Sequence, residues 1–77
     1  MENQINIKEI LLYKKINNEI SSIMQEFAGQ YYSIDEIANI VLYYLVRVYP
    51  FDEIKVCAKL ISQAIKKYYN LFSFKTG

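Results

Sequence analysis

The stretch Ser33-Ile34-Asp35-Glu36-Ile37-Ala38-Asn39-Ile40-Val41-Leu42-Tyr43-Tyr44-Leu45-Val46-Arg47-Val48 reads either as a buried strand or as a helix, and the class of the whole chain turns on which. Ile40–Val48 is rich in β-branched and aromatic residues, which suit a strand. The first four residues, however, have the S-x-x-E form of a capping box, in which the serine oxygen and the glutamate carboxylate each satisfy a backbone N–H at a helix start. Ile34, Ile37, Val41, Tyr44, Leu45 and Val48 then recur at spacings of three and four and share one helical face. Cap and period agree, so a helix is predicted over 34–48.

Toward the N-terminus, Asn6 and Glu9 form a second candidate capping box. Leu12, Ile16, Ile20, Ile23 and Phe27 follow as one stripe, flanked by Tyr13 and Met24. Glu9 would fall on the stripe, so core contact begins after the first turn. Gly29 is placed to end this helix as the residue just past the C-cap. Toward the C-terminus, Pro50 forces Tyr49 out of the helical region and suits the first position of a new helix. Asp52 and Glu53 complement the positive end of its dipole, and Lys66 and Lys67 the negative end. Ile54, Cys57, Ile61, Ala64, Ile65 and Tyr68 make its core stripe. The expectation is an all-α fold, a small three-helix bundle with helices over about 7–28, 34–48 and 51–70, in a single domain 1–77. Residues 71–77 form a tail that either docks through Leu71, Phe72 and Phe74 or stays free.

A chain of 77 residues has a core only marginally large enough to offset its conformational entropy. Such scaffolds use disulfides, metal or a second subunit. Cys57 is the only cysteine and histidine is absent, which leaves no disulfide within the chain and no zinc site. Association as a homodimer remains, and a hydrophobic share of 53% argues the same way. Met1–Ile10 is polar and unlike a signal peptide. The longest apolar run, Ile40–Val46, is far short of the ~20 residues that cross a bilayer. A cytoplasmic protein is expected. Abundant Ile, Asn, Lys and Tyr point to an AT-rich genome, common among mobile elements.

Catalysis needs a nucleophile, base or metal held in register. Without histidine the commonest general base is missing. Cys57 falls on a core stripe, where a thiol is a small hydrophobe and not a nucleophile. Asp35/Glu36 and Asp52/Glu53 sit in first turns, where capping and dipole effects account for them, and adjacent helix positions point about 100° apart. Gly29 and Gly77 are the only glycines, so no phosphate-binding loop exists. Neither enzyme activity, cofactor, metal nor small-molecule substrate is expected.

Charge placement speaks to partners instead. Residues 54–77 carry Lys55, Lys59, Lys66, Lys67 and Lys75 and no acid, while 16–53 carry Glu19, Glu26, Asp35, Glu36, Asp52 and Glu53 against Arg47 alone. The favoured reading is a small regulatory or adaptor protein that binds a protein partner through helices two and three. Asn39, Tyr43, Val46 and Arg47 face outward on helix two, and Tyr69 lies on the rim of helix three. Tyrosine and arginine are enriched in binding hot spots. The alternative is a helix-turn-helix-like DNA-binding regulator. There Lys55, Lys59 and Lys66 would neutralise phosphates while Ser62, Gln63 and Asn70 probe bases. Against it stand the lack of arginine on that face, the joint Val48-Tyr49-Pro50-Phe51 without a small-residue turn, and a net charge of +1. An amphipathic helix on an anionic membrane is disfavoured, because the apolar stripe of helix three is needed for the core.

Overall fold

The computed structural model describes residues 7–75. Four helices follow one another, α1 (Ile7–Glu26), α2 (Ile34–Val48), α3 (Phe51–Val56) and α4 (Ala58–Leu71), and no strand forms among the described residues. The class is all-α. Ser33 caps α2 with extended backbone; its side chain accepts the Glu36 N–H at 3.1 Å, and the Glu36 carboxylate accepts the Ser33 N–H at 2.8 Å. This reciprocal pair overrides the strand preference of Ile40–Val48, because propensity is weak beside a satisfied helix start. The Asn6 cap expected for α1 lies outside the described residues.

Two boundaries differ from expectation. Helix α1 stops at Glu26 and not at residue 28: the Phe27 and Ala28 N–H groups turn back to the carbonyls of Met24 and Gln25, and Gly29 at φ +79° reverses the chain. The helix expected unbroken over 51–70 is divided at Cys57, so the three expected helices become four. The Cys57 backbone sits at φ −96°, ψ 10°, and its N–H reaches the carbonyls of both Glu53 (3.2 Å) and Ile54 (3.1 Å). That local tightening toward a 3₁₀ turn closes α3, and α4 starts afresh. The core stripe survives the break, with Ile54, Cys57, Ile61, Ala64, Ile65 and Tyr68 all buried.

Helices α1, α2 and α4 pack on one another, α1 more extensively on α4 than on α2. Ile16, Ile20, Met24, Ile37, Val41, Leu45 and Cys57 are fully enclosed, and no polar or charged residue is buried among those described. Met24, expected on the flank, is in the centre. Conversely Ile34, Tyr44 and Val48, expected in the core, are exposed. Only Ile37, Val41 and Leu45 of α2 are buried, one residue per turn. Residues at the helix ends, or turned some 60° from that line, therefore reach past their neighbours. At the other contact the Asn17 amide donates to the Tyr68 hydroxyl at 2.9 Å, joining α1 to α4.

The tail docks on its own chain. Ser73 takes the left-handed conformation (φ 58°); its N–H bonds the Asn70 carbonyl, and the Phe74 N–H bonds that of Tyr69. This is a Schellman ending, completed by the parallel stack of Phe74 on Tyr69 at 5.0 Å. The Lys75 N–H then donates to the Gln30 carbonyl at 3.1 Å, in an isolated parallel bridge between Tyr31 and Lys75. The tail thus seals the α1–α2 turn. The molecule is elongated, 49 × 23 × 17 Å.

Candidate functional site: a groove between α2 and α4

The stripe that buries α2 is narrow, so its flank toward α4 is left open. Ile34, Ala38 and Leu42 repeat every four residues along that flank. Opposite them stand Phe51, Ile54, Ala58, Ile61 and Ile65. Together they line a predominantly apolar groove of about 510 Å³. Ala38 and Ala58 both line it, and their small side chains leave room where leucines would fill the gap. The Tyr69 hydroxyl near the end of α4 reaches the Tyr32 carbonyl just before α2, and the short joint 49–50 brings the end of α2 back to α3, so the walls run antiparallel. Phe51 stands at one end, 70% exposed.

The rims differ in charge. On the α3–α4 side Lys55, Ser62 and Lys66 border the groove, and Lys59 lies on the same helix face, three residues from Ser62 and seven from Lys66. All four are exposed, and no carboxylate pairs with these three lysines among the described residues. On the α2 side the rim charge is Asp35. Gln63 and Asn70, the other candidates for base contact, are exposed farther around α4.

Asn39, Tyr43, Val46 and Arg47 are all exposed on α2. The Arg47 guanidinium donates to the Tyr43 hydroxyl at 2.8 Å and lies 5.3 Å from that ring's centre, while Tyr44 meets Tyr43 edge-on. Tyr69 does not join them. It is half-buried near the start of α2, where its hydroxyl donates to the Tyr32 carbonyl and its ring carries Phe74. Ile34, Ala38, Leu42, Phe51 and Ala58 were missed as site residues, although the four-residue repeat in α2 is visible in the sequence. What hid the groove is that its floor shares Ile54, Ile61 and Ile65 with the core.

A second hollow, about 690 Å³, lies between the first half of α1 and the α2–α3 joint, and Lys8, Glu9, Lys15 and Glu53 make its lining more polar. Beside it, burial pushes the Tyr49 phenol above its ordinary value, with Glu19 and Glu53 adding to the effect. The Cys57 thiol is pushed up first by burial and then by Glu53 and Glu9, the opposite of what a nucleophile needs. Among the described residues no group of three His, Cys, Asp or Glu could hold a metal ion, and no helix is long and apolar enough to cross a membrane. No family model, curated protein or solved structure matches the chain.

Proposed function

We propose that this protein acts by binding, as a small adaptor or regulator that captures a protein partner in the α2–α4 groove. The observation that carries this reading is the apolar trough itself, open along two helices and bordered by exposed charge. Pockets that are mostly apolar with a few polar groups at their edges are the usual form of a binding site. The Tyr43–Arg47 pair extends the surface around α2. A photo-crosslinking residue at position 58 should join one protein of defined mass, and Leu42→Glu should abolish the adduct. Equal adducts from position 22, exposed on α1, would remove the reading. Homodimerisation belongs to the same proposal, and the sedimentation coefficient against concentration tests it.

A second reading keeps nucleic acid as the partner, supported by the joint exposure of Lys55, Lys59, Ser62, Gln63, Lys66 and Asn70. Its signature is affinity for mixed-sequence duplex that drops steeply between about 50 and 200 mM salt, as released counterions require.

A further inference from the structure

We infer that the segment seated in the groove is an amphipathic α-helix of a partner protein, with carboxylates along one side of its apolar face. The inference rests on the groove being the binding site and adds the chemistry of what fills it.

Shape comes first. The lysine-bearing rim runs from Lys55 to Lys66, which at 1.5 Å per residue is roughly 16 Å, or about three turns of a helix laid alongside. With α1 packed on the far side of α2 and α4, a helix in the trough would complete a four-helix arrangement. Backbone chemistry agrees. Both walls of the trough are helices whose peptide groups are bonded internally, so they offer no strand edge to an extended peptide. An extended occupant would lose water from its own N–H and C=O groups without finding partners, whereas a helix brings its bonds with it.

Charge then selects the kind of helix. Lys55 and Lys66 border the trough, Lys59 lies on the same helix face, and none of the three has a carboxylate partner among the described residues. A seated helix would set one flank against those ammonium groups, and glutamates or aspartates there would fix its direction and speed its encounter. Its other flank would face Asp35, where a cation or a neutral side chain is tolerated. A second copy is a poorer fit, because its exposed apolar faces stand beside cations, Ile7, Ile10 and Leu11 beside Lys8, Lys14 and Lys15 on α1, and Tyr43 and Val46 beside Arg47 on α2. DNA would meet the lysines and leave the apolar floor unused.

The test uses a displayed library of helical peptides with fixed leucines at one apolar face and flanks randomised among Glu, Gln and Lys. The library is selected on the full chain, and the enriched peptides are then assayed on Ala58→Gln, whose longer neutral side chain obstructs the trough. Position 58 is exposed in the first turn of α4, where glutamine keeps a favourable helix propensity, and thermal unfolding checks that the variant is folded. Enriched peptides should carry Glu on one flank. Their affinity should fall about tenfold in the triple variant Lys55→Glu, Lys59→Glu, Lys66→Glu, and selection on that variant should enrich Lys instead. Peptides that need an open trough yet show no acid preference would overturn this inference and leave the binding site standing. Peptides that bind Ala58→Gln as well as the parent would overturn both. Self-association of the chain alone, abolished by Ala58→Gln, would give the trough to a second copy; duplex DNA displacing the peptide would give the lysine rim to nucleic acid. Either result overturns the acidic helix.

Discussion

At the scale of single residues, Ser33 and Ser73 have opposite effects. Ser33 satisfies one orphan N–H of α2 and positions Glu36 to satisfy another. Ser33→Ala should therefore cost about 1 kcal/mol in urea unfolding. Ser73 occupies a left-handed position that an L-residue adopts at some cost. Ser73→Gly should stabilise the protein by about 0.5–1 kcal/mol, raising Tm by a few degrees in a thermal melt. A lowered Tm would mean that the serine hydroxyl contributes more than the backbone loses. Cys57 and Tyr49 make a pH prediction. Both protons are held more tightly in the folded state than their ordinary values of 9.0 and 10.0. Above pH 9 the unfolded chain releases the thiol proton first, so stability, full below that point, falls as pH rises through the folded value. Cys57→Ala should move the onset of this fall toward the phenol range when urea midpoints are followed from pH 8 upward.

Among the elements, α2 shows how much was legible and where legibility stopped. Its ends and its type followed from Ser33, Glu36 and the position of Pro50, because these are contacts between near neighbours in sequence. Which of its apolar residues would be enclosed did not follow. Ile34, Tyr44 and Val48 obey the same period as Ile37, Val41 and Leu45, yet only the last three are enclosed. Periodicity names a face, whereas burial depends on where the other helices cross it. Leu45→Ala should cost about 2–5 kcal/mol, as in a closed core, and Leu42→Ala within about 0.5 kcal/mol, as on a surface. Matched chemical unfolding of the two variants separates core from groove wall. The break at Cys57 escaped the sequence because neither proline nor glycine marks it; it is written in the Cys57 backbone angles and its shared hydrogen bond. The candidate site was half legible. The lysines of α3–α4 and the outward tyrosine of α2 were visible as surface chemistry, but the trough between them exists only once two helices lie side by side.

For the whole molecule, the tail is part of the fold. It stacks Phe74 on Tyr69, Tyr69 reaches the Tyr32 carbonyl, and Lys75 bridges back to Gln30. Phe74→Ala should lower stability by about 1 kcal/mol through the lost aromatic pair. Hydrogen exchange at residues 29–33 should accelerate in the same variant, because the tail covers that turn. Unchanged exchange there would show that the turn holds itself. With so many apolar residues left outside and little core to spare, even these single losses are a sizeable fraction of what keeps the chain folded.

The contact between the first helix and the last has a consequence for synthesis. Asn17 and Tyr68 are 51 positions apart, and α1 depends mainly on α4 for cover. While the chain is being made, Ile16, Ile20, Ile23 and Met24 emerge from the ribosome long before the surface that will hide them. Closure of so wide a loop waits until nearly all the described residues have been translated. From its emergence until that closure the nascent chain presents a bare apolar stripe, a substrate for chaperones before it becomes a core.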